Sequence, residues 1–284
     1  MKCFQVMDMR KARIRMDRTK TVGIIGGGNM GSGIISGIVG SGLLEPKNVI
    51  VSDINKKTLE RLSDTYSVRT TTDNAALCEE ADIIFLVVKP YQLAEMVEKI
   101  RDSVNADALV ISVAAGQPIA RIEAMFGRDV RLVRIMPNLG ALVGESMTGF
   151  SLNRLATEED RQDTIALLNS FGRCEEVAEK LMDIVTGVSG SAPAYICTML
   201  DAMADAAVLN GMPRAQAYTV CAQAMLGTAK YLLETGVTPS ALKDMVCTPG
   251  GTSIEAVVEM ENKGIRSAIV SGVNACVEKS KNLL

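Results

Sequence analysis

Three glycines with the spacing G-x-G-x-x-G (Gly26, Gly28 and Gly31) follow the short apolar run 22–25 and open a helix-compatible segment. Strand, glycine turn and helix in that order make a seat for a pyrophosphate. The first glycine permits the tight turn, the second lets the backbone approach the ligand, and the third lets the helix pack closely on the strand. The helix N-terminus at Asn29 and Met30 then offers free N–H groups to the phosphates. Asp53 closes the next β-branched run, where an acid bonds the adenosine ribose hydroxyls and favours NAD over NADP. Lys56 and Lys57 lie just beyond. They can meet a 2′-phosphate or simply be solvated, so the choice between NADH and NADPH stays open. The first half of the chain reads as a nicotinamide-dinucleotide binder.

A second chemical cluster lies near the C-terminus, at Thr248, Pro249, Gly250, Gly251, Thr252 and Ser253, ahead of an amphipathic segment with Glu255 in its first turn. Two glycines leave backbone N–H groups unshielded, and three hydroxyls add donors. Such a nest suits a carboxylate, helped by about 0.3–1 kcal/mol from the helix dipole. The alternative is a helix cap closed by Ser or Thr, and both readings can hold together. The chain has no His, so imidazole chemistry of every kind is excluded. Seven scattered cysteines without a C-x-x-C pair fit reduced thiols in a cytoplasmic protein, and no metal site is expected.

The elements that must position these groups change character along the chain. Strands are expected at 22–25, 49–51, 83–88, 108–113 and 132–135, with helices up to about 39 and at 56–65, 93–100 and 119–126. That alternation means a doubly wound parallel sheet of Rossmann type over 21–178. From 179 to 284 the segments 194–210, 213–234, 240–246, 253–262 and 265–284 all read as helices. Several are apolar on more than one face, and about 100 residues cannot easily bury that much alone. A homodimer or larger homo-oligomer built through these helices is therefore expected. Residues 1–20 carry seven Lys or Arg and read as a basic, disordered extension, with a transit peptide as the lesser alternative.

Bulk properties narrow the partners. A net charge of −3 argues against a binder that works by neutralising nucleic-acid phosphates. No apolar run is expected to approach the roughly 20 residues that span a bilayer, so no membrane partner is expected.

Five segments together carry a family resemblance: FLVVKP (85–90), VAAGQPI (113–119), RIMPN (134–138), TGVSGSAPAY (186–195) and VCTPGGTSIEA (246–256). In this order they make the chain, from about Thr21 onward, resemble pyrroline-5-carboxylate reductases, which reduce 1-pyrroline-5-carboxylate to L-proline with NAD(P)H. The resemblance implies that Gly250 and the backbone N–H groups of Gly251, Thr252 and Ser253, with the Thr248 hydroxyl, hold the substrate carboxylate. It implies a catalytic hydroxyl at Ser253 facing the ring nitrogen, where the family usually has threonine. It also implies that Val88, Lys89 and Pro90 border the cofactor riboses. Ala114, Ala115 and Gly116 would then let the nicotinamide lie flat, and Asn138 can orient its carboxamide or serve as a buried turn asparagine. Lys89 is an alternative proton donor, and Tyr195 reads as packing.

Two other functions compete. A β-hydroxyacid dehydrogenase shares the two-part plan, but its general acid/base is a lysine early in the linking helix, and 186–205 contains none. A non-catalytic NAD(P)H-binding protein would have no reason to keep a carboxylate nest.

Overall fold

The computed structural model describes residues 16–283. Alternation of strand and helix begins at once, with β1 (Val22–Ile25), α1 (Asn29–Gly40), β2 (Val49–Ser52), α2 (Lys56–Tyr66), β3 (Arg69–Thr71), α3 (Asn74–Glu80), β4 (Ile83–Leu86) and α4 (Leu93–Ile100). It continues through β5 (Leu109–Ser112), α5 (Ile119–Phe126), β6 (Arg131–Met136), β7 (Ser146–Leu152), α6 (Glu158–Asn169), β8 (Gly172–Glu176) and the one-turn helix α7 (Met182–Val185). Five helices follow: α8 (Ala192–Leu209), α9 (Arg214–Thr235), α10 (Pro239–Val246), α11 (Thr252–Asn262) and α12 (Ile265–Lys281).

The strands form one sheet in the order β3-β2-β1-β4-β5-β6-β7-β8. Chain progress runs outward one way from β1 and the other way from β4, so the crevice beyond the carboxyl ends of β1 and β4 is the topological switch point where such sheets bind ligands. β1, β2, β4 and β5 are buried at every position. That explains their uninterrupted apolar reading. Alternate residues feed opposite layers: Ile24, Val51 and Phe85 pack with Ile34 and Ile38, whereas Ile25, Leu86 and Val110 pack with Leu93 and Ile122.

Three features depart from the sequence expectation. The sheet is mostly rather than wholly parallel, because β7 runs antiparallel to β6. The connection 137–145 is shorter than the dozen or so residues that a parallel crossover needs. β3, α3, β7, α6 and β8 were not anticipated. Finally, Met16–Lys20 do not behave as an extension. Met16 is 5% exposed in the core, Asn48 Nδ2 donates to the Arg18 carbonyl, and Lys20 pairs with Asp163 at 2.6 Å. The remainder of the expected extension, and the transit-peptide alternative, lie outside the described residues.

Contacts divide the chain into two compact units. One contains the sheet through Ser191 and the end of the chain from Cys276, and the other is Ala192–Ala275. The division falls later than the expected boundary at 178, because the linker around α7 is tied to the sheet by ion pairs described below.

In the helical unit α8–α11 start and end within about two residues of their expected positions. Asp201 accepts the Tyr218 hydroxyl at 2.9 Å and Asp205 pairs with Arg214 at 2.6 Å, joining α8 to α9. Only Ala204, Ala217 and Cys221 are buried there, while Val220, Leu226, Met245, Val246 and Val270 are each more than half exposed. Contrary to expectation, the helical stretch Glu179–Leu209 is by length and composition apolar enough to cross a membrane.

Candidate cofactor and substrate sites

The glycines of the first turn have different reasons to be glycine. A Cβ on Gly26, at φ +112°, would lie 2.2 Å from the Val87 carbonyl oxygen, and one on Gly31 would lie 2.0 Å from the Gly26 carbonyl oxygen. Both are demanded by the chain's own packing. A Cβ on Gly28 would meet nothing within 4 Å. Gly28 is the N-cap of α1, with extended backbone, no side-chain cap and no acid in the first turn. Ser32 N–H bonds the Gly28 carbonyl, and no side chain caps the N–H groups of the first turn of α1, at Asn29, Met30 and Gly31. An open face, bare donors and the positive end of a helix fit a dinucleotide pyrophosphate.

Asp53 follows β2, where Oδ2 accepts from Gly27 N–H and Oδ1 from Asn55 N–H, each at 2.8 Å. The carboxylate is thereby fixed beside the turn. Lys56 and Lys57 are exposed on the first turn of α2, whose cap is the Asn55 side chain.

The strand ends place the remaining expected residues. β4 ends at Leu86, two residues short of expectation. Val87 leaves the strand by donating to the Ile25 carbonyl at 2.9 Å. Val88 and Pro90 are half-buried and Lys89 is exposed. Ala114 is buried and Gly116 has φ +67°, the left-handed conformation that glycine tolerates. Asn138 is engaged by the protein itself: Oδ1 accepts from Gly140 N–H at 3.0 Å, and Nδ2 donates to Ser189 Oγ at 3.2 Å. Ser189 belongs to a π-helical turn, Thr186–Gly190.

The second glycine turn lies in the helical unit. Gly250 has φ +68° with open space where a Cβ would stand, and Gly251 donates to the Thr248 carbonyl at 3.0 Å. Gly251 is the N-cap of α11, and no side chain caps that helix. The cap reading therefore fails. Thr252 and Ser253 lie inside the first turn, leaving its N–H groups uncapped behind an exposed, glycine-lined surface. Ser253 is half-buried, as is Tyr195 early in α8.

Sequence reasoning missed a buried ionic group. Arg134, 3% exposed on β6, lies 3.4 Å from Glu179 Oε1 and 3.9 Å from Asp183 Oδ1. Glu179 Oε1 also accepts from Ile119 N–H at 2.5 Å, and Asp183 Oδ1 accepts from Ser280 Oγ at 2.7 Å. An arginine inside the apolar strand LVRIM was the available signal, since a buried guanidinium requires acids. Among the described residues no cluster could hold a metal ion, and six cysteines are free. Burial pushes the Cys78 and Cys174 thiols up to about 12, so neither is a nucleophile near neutrality.

Comparison with known proteins places this geometry. The family described as "Pyrroline-5-carboxylate reductase dimerisation" matches residues 179–283, and "NADP oxidoreductase coenzyme F420-dependent" matches 21–116. The chain is 44% identical to the pyrroline-5-carboxylate reductase of Escherichia coli, over 93% of this chain and 98% of that protein. The solved structure of a pyrroline-5-carboxylate reductase from Coxiella burnetii is similar at TM-score 0.88 and 30% identity, covering 93% of this chain and 98% of that one. That of the Plasmodium falciparum pyrroline carboxylate reductase, with NADP bound, is similar at TM-score 0.85 and 28% identity, covering 94% and 99%.

Proposed function

The chain belongs to the pyrroline-5-carboxylate reductase family, and from that premise we propose how its two glycine turns share the reaction. It is an NAD(P)H-dependent oxidoreductase that forms proline from 1-pyrroline-5-carboxylate, in proline biosynthesis. The substrate assignment is carried by the uncapped start of α11. A helix that begins on Gly250-Gly251 without a side-chain cap leaves donors for the carboxylate of a small imino acid.

When bound, NAD(P)H supplies the hydride. The Gly26–Gly28–Gly31 turn and the α1 N–H groups hold its pyrophosphate, Asp53 holds the adenosine ribose, and Val88, Lys89 and Pro90 border the riboses. Ala114, Ala115 and Gly116 make a small-residue floor for the nicotinamide. Asn138 fixes the β6 turn through Gly140 and Ser189, which leaves it a supporting part at that floor. Gly250, Gly251, Thr252 and the Thr248 hydroxyl hold the carboxylate, and Ser253 meets the ring nitrogen. The imine enters protonated, so hydride addition at carbon sends the C=N electron pair to nitrogen and yields the amine without a general acid. A chain lacking histidine is sufficient for this. The protein's task is to hold the reacting carbons about 3–3.5 Å apart.

The fixed Asp53 carboxylate selects NADH over NADPH. A unit charge about 4–5 Å from a 2′-phosphate opposes it by roughly 3–4 kcal/mol at an effective dielectric of about 20. Exposed lysines such as Lys56 and Lys57 return only about 0–1 kcal/mol each. A spectrophotometric assay with both cofactors and with five- and six-membered cyclic imino acids tests both assignments. NADH with the five-membered acid is expected to give the highest kcat/KM. Asp53→Ser is expected to move the ratio towards NADPH by about a hundred- to a thousandfold. An unmoved ratio would remove Asp53 from the ribose site, and no oxidation with any imino acid would remove the substrate assignment.

The helical unit is a dimerisation domain. We propose a homodimer in which a second copy covers the apolar surface of α8–α12, including the stretch 179–209. Free thiols suit a cytoplasmic setting. Sedimentation at micromolar concentration should show a dimer or a multiple of it, and a monomer would contradict the assignment.

A further inference from the structure

We propose that the last turn of α12 and the residues after it clamp the nicotinamide floor, with Ser280 and Leu283 as positioning residues. The proposal rests on the placement of the nicotinamide at Ala114–Gly116 given above. α12 is exposed through most of its length, but Val277 and Ser280 are buried, at 9% and 3% exposure. This end of the helix belongs to the sheet unit and is tied to it at three points. Cys276 Sγ lies 3.2 Å from Ser191 Oγ, and Ser280 Oγ donates to Asp183 at 2.7 Å. Across Gly116 the contact is so close that a Cβ there would lie 2.9 Å from Leu283 Cβ and 3.4 Å from the Ser280 carbonyl oxygen.

The floor loop is therefore held from outside at both ends. Glu179 takes the Ile119 N–H at the start of α5, and the tail covers Gly116. Both restraints converge on Arg134, whose guanidinium faces Glu179 and Asp183 together. A left-handed glycine that follows Ala114 and Ala115 has little side chain of its own to fix it. An external clamp supplies the order that a flat-lying ring requires, since loop ordering on binding lowers affinity.

The test uses the full chain and one ended at Lys279, each titrated with NADH by fluorescence and assayed for steady-state kinetics, sedimentation and melting. The shortened chain should bind NADH about tenfold more weakly and show a raised cofactor KM, with the imino-acid KM and the oligomer unchanged. Ser280→Ala and Leu283→Ala should shift cofactor affinity the same way by about two- to fivefold, and Ser280→Thr should restore it. A fall in melting temperature with unchanged cofactor affinity would overturn the clamp. Should the shortened chain not fold, Leu283→Ala decides by the same two readings, because that residue is 42% exposed. Gly28→Val, run in parallel, separates the two claims: retained NADH binding there refutes the cofactor site itself, whereas an insensitive tail refutes the clamp alone.

Discussion

Gly28→Val is expected to abolish NAD(P)H binding in a protein that still folds. A Cβ on Gly28 would meet nothing within 4 Å and its backbone, at φ −64° and ψ −165°, is one that any residue can adopt, so the chain itself does not demand glycine there. The valine methyl groups would occupy the surface on which the pyrophosphate must reach the first-turn N–H groups of α1. Losing two hydrogen bonds to a charged group, at about 1.5–3 kcal/mol each, weakens binding by at least a hundredfold. Gly31→Ala is the contrasting control. Its Cβ would fall 2.0 Å from the Gly26 carbonyl oxygen, so the turn itself must move and the melting temperature should drop. Titration fluorescence and thermal melting of the two variants should therefore separate: affinity lost with stability kept for Gly28→Val, stability lost for Gly31→Ala. Tight NADH binding by Gly28→Val would sink the pyrophosphate assignment.

That contrast shows where sequence stops being enough. The motif G-x-G-x-x-G is legible as a unit, but three glycines look alike in a sequence, and only packing distinguishes the two that the chain requires from Gly28, where a Cβ would meet open space. The same limit applied to the sheet. β1, β2, β4 and β5 are apolar at nearly every residue and were readable. β3 is the exposed run RTT and β8 is GRCEE, with no apolar pattern to find. α6 was hidden for a different reason: it buries Asp160 and Asp163, whose charges are met by Arg131 at 3.1 Å and Lys20 at 2.6 Å. A polar residue buried by a partner distant in sequence gives no periodic signal.

The helical unit was legible in its elements and illegible in its packing. Its helix bounds follow from local punctuation such as Gly211 and Gly236, but apolar residues of α9 and α11 such as Val220, Leu226 and Val258 stay half exposed or more. The apolar excess in the sequence correctly pointed to another copy, while the same excess gave 179–209 the composition of a membrane span. Asn138 illustrates the converse. Its sequence context left a carboxamide contact and a buried turn asparagine both open, and its amide bonds Gly140 and Ser189.

Ser253→Ala is expected to lower kcat by about ten- to a hundredfold while leaving NAD(P)H affinity and the imino-acid KM close to normal. The residue offers two donors of different kinds. Its backbone N–H, at the uncapped start of α11, is part of the proposed carboxylate nest and survives the change to alanine. In the proposed site its hydroxyl alone would face the ring nitrogen, whose charge disappears as hydride adds to carbon. An interaction that tracks that change acts on the transition state more than on the bound substrate, so kcat and kcat/KM should fall together. Ser253→Thr should keep activity, since it keeps the hydroxyl and adds a methyl that restricts its rotamer. Proline should still raise the melting temperature of Ser253→Ala in the presence of cofactor, because the product carboxylate needs only the nest. A rise in KM with unchanged kcat would move Ser253 into the carboxylate site, and parallel loss of NAD(P)H binding would remove its assigned role altogether.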